Sequence, residues 1–174
     1  MKRIKNIAFT ALLAIGAFSL VTYTSCTKED DPIDPCAAVL CGPNGDCVNG
    51  TCVCDLGYEG AGCATESRTK FIKSWNASDQ IGTTNLVYTV AIGTGANVTN
   101  VIISNAFSDN FFSNTINATV SDNTITIPEQ QPDGSGSNFK VSGTGTYSAG
   151  KITWTYVITR ILPLDVKTHT GLWQ

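Results

Sequence analysis

The chain has one histidine, one methionine, and no cysteine after Cys63. A single histidine excludes any centre built on several imidazoles. The missing cysteines mean that residues 64–174 must hold together without disulfides. Charge is also sparse, at 14% of residues. Beyond Lys2, Arg3 and Lys5, no two basic residues adjoin. Nucleic-acid binding needs clustered Lys and Arg to neutralise phosphates, so it is excluded as a function class. No glycine-rich phosphate loop occurs, because the glycines sit in turns and strands.

The N-terminus does have a pattern. Met1-Lys2-Arg3-Ile4-Lys5-Asn6 precedes a mostly apolar run from Ile7 to Val21. A basic n-region followed by an apolar h-region is a secretory signal. The run falls short of the roughly 20 apolar residues that span a bilayer. It ends at Tyr23-Thr24-Ser25-Cys26. A small residue before a cysteine here resembles a bacterial lipobox, although Tyr23 stands where the strict pattern has Leu. The resemblance implies a leader at 1–25 and lipidation at Cys26, which anchors the mature chain to the membrane. Ordinary cleavage would instead leave an odd free thiol in a secreted disulfide protein, a liability.

Residues 26–35 then form an acidic, Pro-containing tether with nothing to bury. Thr27-Lys28-Glu29-Asp30-Asp31 resembles the export signal of surface-exposed lipoproteins in certain anaerobic Gram-negative gut bacteria. That resemblance implies display on the outer membrane, facing outward. Without the leader, eight basic residues face fourteen acidic ones. Electrostatic adsorption to a membrane is disfavoured, so the lipid must supply the anchoring.

Six cysteines fall within residues 36–63, spaced Cys36-x4-Cys41-x5-Cys47-x4-Cys52-x-Cys54-x8-Cys63. So short a segment cannot build an adequate apolar core, and bridges must hold it. Zinc is the rival for clustered cysteines, but His169 is far away in sequence and a secretory leader favours oxidation. The segment Cys52-Val-Cys54-Asp-Leu-Gly57-Tyr58-Glu-Gly60-Ala-Gly-Cys63 matches the C-x-C-x-x-G-Y-x-G-x-x-C ending of EGF-like domains. The resemblance implies the pairs Cys36–Cys47, Cys41–Cys52 and Cys54–Cys63. It also implies a spacer or protein-contact role without catalysis. Calcium-binding EGF modules carry acidic ligands before the first cysteine and an aromatic in a longer third interval. Here Pro35 precedes Cys36, and Val48-Asn49-Gly50-Thr51 is short and lacks an aromatic. Asp31, Asp34 and Asn49 therefore form an incomplete ligand set, and neither metal nor other cofactor is expected.

Residues 66–174 are rich in Thr, Ser, Asn, Val and Ile, a β-domain composition. A short helix is expected over Thr65–Ile72, with Thr65 as its N-cap. Beyond it, period-two alternation dominates. Leu86, Tyr88, Val90 and Ile92 share a face, as do Ile116, Ala118 and Val120, and Ile125 and Ile127. Phe139, Val141, Gly143, Gly145 and Tyr147 alternate with polar residues, and so do Ile152, Trp154, Tyr156 and Ile158. Alternation with polar partners means antiparallel sheet with one dry face. Strands near Phe71–Asn76 and Val166–Trp173 bring the expected number to about eight. Turn signals separate them at Gly93–Asn97, Asp122-Asn123, Asp133–Gly136 and Ala149-Gly150. The fold class is all-β: a small disulfide-rich EGF-like module followed by an antiparallel up-and-down β-barrel or a sandwich. Lys73-Ser74-Trp75 resembles the Gly-x-Trp opening of lipocalin-like barrels, with Lys in place of Gly.

Chemistry is harder to find. The carboxylates Glu66, Asp79, Asp109, Asp122, Glu129, Asp133 and Asp165 fall mostly in expected turns or strand ends. None pair at a spacing that implies a two-carboxylate site. His169 alternates with Thr168 and Thr170 and is expected to face solvent. No nucleophile elbow appears. No catalytic residue is therefore assigned, and the chain is not expected to be an enzyme. Candidate binding residues are Phe111 and Phe112, two aromatics in the polar stretch Ser-Asp-Asn-Phe-Phe-Ser-Asn, unless one of them plugs a barrel end. Trp154 and Tyr156 either pack the core or line a pocket. The function expected is a lipid-anchored surface protein that contacts a protein or glycan partner. The alternative is a lipocalin-like carrier of a small apolar or glycan ligand.

Overall fold

The computed structural model describes residues 33–107 and 112–174. The chain divides into two compact units, 1–37 and 38–174. Cys26, Asp31 and Phe111 lie outside the described residues, while Asp34 shows only a local turn, its Oδ1 accepting from the Cys36 amide at 2.9 Å.

The second unit holds the cysteine module from Ala38 onward. β1 (Gly45–Val48) and β2 (Thr51–Cys54) form a hairpin. Its turn is Asn49-Gly50, where both residues have positive φ, the conformation that favours Asn and Gly. β3 (Tyr58–Glu59) pairs with β4 (Thr65–Glu66). Bridges join Cys41 to Cys52 and Cys54 to Cys63. These are two of the pairs the EGF resemblance implies. Cys36 and Cys47 are disulfide-bonded as well.

The helix expected over Thr65–Ile72 is not formed. Thr65 and Glu66 are taken by β4, and the chain then makes a single 3-10 turn, Ser67–Lys70, with no side-chain cap. Pairing with β3 competes successfully with a helix start, since a short isolated helix has little to gain.

Eight strands then close into an antiparallel barrel. They are β5 (Ser74–Ile81), β6 (Thr84–Thr94), β7 (Asn100–Ser104), β8 (Ile116–Ser121), β9 (Thr124–Gln130), β10 (Phe139–Ser148), β11 (Lys151–Arg160) and β12 (Asp165–Trp173). Each pairs with the next, and β12 returns to pair with β5 through Thr170–Gln80 to Trp173–Ala77. Closure leaves no edge strand, which removes the template for intermolecular pairing. This settles barrel over sandwich. Pro128 lies within β9, where it cannot donate to the ladder. The β9–β10 register shifts between Val141 and Gly143, beside that proline, as a bulge there allows.

The alternating faces fall as their pattern predicts. Val90, Val141, Ile152, Trp154 and Tyr156 are all buried. The interior is filled with aromatics, notably Trp75, Trp154, Trp173, Phe71 and Phe107. Trp75 donates its indole N–H to the Phe71 carbonyl at 2.8 Å. Lys73 lays its ammonium over the Trp75 ring at 3.9 Å.

Candidate functional site

The inward face of β5 carries Trp75, Ala77 and then Asp79, all fully buried. Asp79 is thus a carboxylate inside an apolar barrel, where a group of this kind must be hydrogen-bonded. Three side chains from three other strands do this. Tyr88 on β6 donates to Oδ2 at 2.5 Å, Tyr156 on β11 donates to Oδ2 at 2.9 Å, and Trp173 on β12 donates to Oδ1 at 3.2 Å. Burial pushes both tyrosine pKa values far above their ordinary value, and the Asp79 carboxylate adds to the shift. Both therefore stay protonated donors.

Backbone geometry makes the room. Gly171 lies opposite Asp79 in the β12–β5 ladder. A Cβ at position 171 would come within 2.2 Å of Asp79 Oδ1. Two strands along, on β10, Gly143 lies opposite Tyr156 in the ladder, and a Cβ there would meet the Tyr156 Cβ at 2.6 Å. Both glycines trade a side chain for space that a polar residue and an aromatic ring then fill.

The loop after β7 completes the plug. Phe107 has φ of 60°, is buried, and stacks on Tyr156 with ring centroids 4.0 Å apart. Its amide donates to the Tyr88 hydroxyl at 2.9 Å, so Tyr88 relays between loop and carboxylate. Phe112, one of the two candidate binding aromatics, is half-buried against the same core. It belongs at least in part to the packing. Phe107, to which no sequence pattern points, is the aromatic that enters the barrel.

His169 does not face solvent, contrary to the expectation from its polar neighbours. It is 5% exposed, on the same inward row as Gly171 and Trp173. Its ring stacks on Tyr156 with centroids 5.1 Å apart. Burial lowers its pKa against the opposing pull of Asp79. Asp79 likewise sits mid-strand rather than at a strand end. Among the described residues, Trp154 Nε1 and His169 Nδ1 are buried without a hydrogen-bond partner.

His169 also marks the end of the barrel away from the cysteine module, where a half-open cavity of about 180 Å³ lies. Ile81, Phe139 and Ile158 supply apolar walls, and Arg160, Asp165 and Lys167 line it as well. Asp165 pairs with Lys167 at 3.4 Å and Arg160 at 3.6 Å. Among the described residues no three His, Cys, Asp or Glu side chains gather to hold a metal ion.

The opposite end is covered by the cysteine module. Arg68, in the 3-10 turn, donates through Nη1 to the carbonyls of Gly95, Asn97 and Asn100 at 3.2, 2.7 and 3.2 Å. Its Nε pairs with Glu66 at 2.8 Å. Lys70 bridges Glu59 of the module to Asn123 of the β8–β9 turn, at 2.6 and 2.9 Å. The Ser67 amide donates to Gly57, and a Cβ at Gly57 would lie 2.8 Å from Val98 Cγ1. Module and barrel are thus fastened together by charge-assisted bonds and close backbone approach.

The model of the Teneurin-like EGF domain family matches residues 37–66. The match covers β1 to β4 and stops where the 3-10 turn begins. It identifies the cysteine module as EGF-like. Neither curated proteins nor solved structures give a match to the chain. An EGF-like module joined to a closed β-barrel fits an interaction or binding role.

Proposed function

We propose that the protein is a non-catalytic, lipid-anchored surface module that presents its EGF-like face and barrel together to a protein or glycan partner. The observation that carries this reading is the fastening of the module to a filled barrel through Arg68 and Lys70. A fixed unit gives a partner one preorganised surface, which lowers the ordering cost of contact. The module offers apolar contact area, with Leu40 90% and Leu56 74% exposed. The buried Asp79 is saturated by its three donors and faces no open cleft. It acts as a structural polar centre in this reading, not as an acid or base. A filled interior also argues against a lipocalin-like carrier that takes a large ligand into the barrel. The anchor rests on Cys26 and the leader, as the sequence resemblance implies.

The reading is tested with intact cells that display the chain. Fatty-acid analogue labelling is expected in the wild type and not in Cys26→Ala. Partner capture from neighbouring cells or glycans is expected to fall in Leu40→Ser/Leu56→Ser and in Phe111→Ser/Phe112→Ser, with unchanged far-UV circular dichroism. Equal labelling of both proteins, or capture that neither pair affects, overturns it.

A further inference from the structure

The β10–β11 turn stands beside Asn123, at the end that the cysteine module covers. The next turn, residues 161–164 between β11 and β12, therefore lies at the opposite end. Its side chains are apolar and point outward. Leu162 is 75%, Leu164 74% and the flanking Val166 58% exposed, and Pro163 is exposed as well. Exposed leucines scattered singly are ordinary, but here they gather at one hairpin tip, where polar residues are the rule.

Three features say what covers this tip. The first is size. A stable protein interface uses about 20–30 residues a side, and a four-residue turn with one flanking valine falls far short. A bilayer interface, into which a protruding tip sinks, asks for no such area. The second is the backbone. A loop that enters an apolar medium must carry its main-chain polar groups already bonded. The Leu162 N–H donates to Asn138 Oδ1 at 2.8 Å, and its carbonyl accepts from Asn138 Nδ2 at 2.7 Å. The Ile161 N–H donates to the Asn138 carbonyl at 2.8 Å. Pro163 has no N–H, and its carbonyl accepts from Arg160 Nε at 3.3 Å. Asn138 and Arg160 thus satisfy the tip and hold it in place. The third is charge. Arg160 and Lys167 flank the loop at its base, and both reach Asp165, at 3.6 and 3.4 Å. Two cations against one carboxylate leave a net positive charge there, while neighbouring Lys140 is balanced by Glu129 at 3.1 Å. Long cationic side chains at the base of an apolar tip keep their heads at the headgroup level.

We infer that the β11–β12 tip inserts into the interfacial layer of an anionic lipid bilayer. Leu162 and Leu164 enter the acyl region, and Arg160 and Lys167 stay among the headgroups. This is local apolar insertion, not the broad electrostatic adsorption that an acidic chain disfavours. A tip seated in lipid leaves the EGF-like module, at the other end of the barrel, free for a partner. The inference goes beyond the interaction role and depends on neither that role nor the Cys26 anchor.

The mature chain, 26–174, carries Cys26→Ala so that no acyl group contributes, and it keeps every element of the fold. It is sedimented with phosphatidylcholine vesicles, with and without phosphatidylglycerol, and is expected to bind the anionic vesicles more tightly. Leu162→Ser/Leu164→Ser should bind at least about tenfold more weakly, because two leucines no longer leave water. Both positions are exposed, so its far-UV circular dichroism should match wild type. Lys167→Gln, at a side chain 63% exposed, should weaken binding to the anionic vesicles about fivefold and leave binding to phosphatidylcholine unchanged. Location is read separately. Trp75, Trp154 and Trp173 are fully buried, so a new surface indole reports on its own position. Brominated lipid should quench the indole of Leu164→Trp and not that of Leu56→Trp on the module. Equal sedimentation of wild type and the double serine variant overturns the inference. So does indifference to phosphatidylglycerol, or quenching at position 56 and not at 164. Self-association of the lipid-free protein that the double serine variant abolishes also overturns it, by assigning the tip to a second copy of the chain. Each of those failures leaves the labelling and capture outcomes above untouched.

Discussion

Asp79 and Tyr156 stand 77 positions apart in the chain and meet inside the barrel, the phenol donating to Oδ2 at 2.9 Å. With Tyr88 and Trp173 on the same carboxylate, one side chain ties β5 to β6, β11 and β12. Truncation to Ala would strand two buried donors and the half-buried Tyr88 hydroxyl, each buried one at about 1–3 kcal/mol. Asp79→Ala is therefore expected to lose at least about 2 kcal/mol of stability in urea unfolding. Asp79→Asn keeps one accepting oxygen and should lose less. An Ala variant within about 1 kcal/mol of wild type would falsify the assignment of Asp79 as a structural centre.

Gly171 faces that carboxylate so closely that a Cβ would lie 2.2 Å from Oδ1. Gly171→Ala must push Asp79 off its donors or bend β12, and overpacking of this kind costs about 1–3 kcal/mol. A Cβ at Gly93, also in a barrel strand, meets nothing within 4 Å. Gly93→Ala is the control and should stay within about 0.5 kcal/mol of wild type or gain slightly. Equal effects at both positions would show that strand propensity, and not space beside Asp79, decides the outcome.

Local pattern carried most of the fold. The alternation of Ile152, Trp154, Tyr156 and Ile158 with polar residues put four side chains inward, and all four are buried. Cysteine spacing with Gly57, Tyr58 and Gly60 marked the EGF-like module. Barrel closure was legible only as one of two alternatives, barrel or sandwich, because what decides it is the pairing of Ala77 with Trp173, a contact between strand ends far apart in the chain. The polar centre was legible in principle. Trp75, Ala77 and Asp79 form one period-two row, as do His169, Gly171 and Trp173. Reading His169 only against Thr168 and Thr170 showed the alternation but not its direction. Following the row to Trp173 gives the inward face. Phe107 could not be found this way, since it enters from a loop with positive φ and no periodicity points to it.

His169 should make stability depend on pH. Burial holds its pKa below the ordinary value, so the unfolded chain binds the proton more readily. Its contribution is then fully present above about 6.5, the unfolded value, and is lost as pH falls from there toward the folded pKa. The unfolding midpoint is expected to drop between about pH 7 and pH 5. In His169→Phe the ring can still stack on Tyr156 but cannot titrate, so this slope should flatten. Identical slopes in the two proteins would show that His169 takes up its proton without penalty in the fold.

Arg68 should decide whether module and barrel move as one. Its guanidinium donates to three main-chain carbonyls of the β6–β7 turn and pairs with Glu66. Its side chain is only 13% exposed. Lys can place one ammonium there but not a planar fork with several donors. Arg68→Lys is therefore expected to release part of the fastening and Arg68→Ala most of it. Bonds to a charged donor are worth about 1.5–3 kcal/mol each, though the three carbonyls share one nitrogen and do not add. Because Phe71, whose N–H bonds to the Arg68 carbonyl, belongs to the core, near-UV circular dichroism of the tryptophans is recorded alongside to detect any loss of core packing. The readout is amide hydrogen exchange at Ser67, whose N–H is bonded to the Gly57 carbonyl, and protease cleavage within 66–73. Both should rise by roughly tenfold in Arg68→Ala, the factor that corresponds to about 1.4 kcal/mol of local opening. Unchanged exchange and cleavage would mean that Lys70 and the Gly57–Val98 contact hold the two parts together without Arg68. The single preorganised surface would then not depend on the arginine.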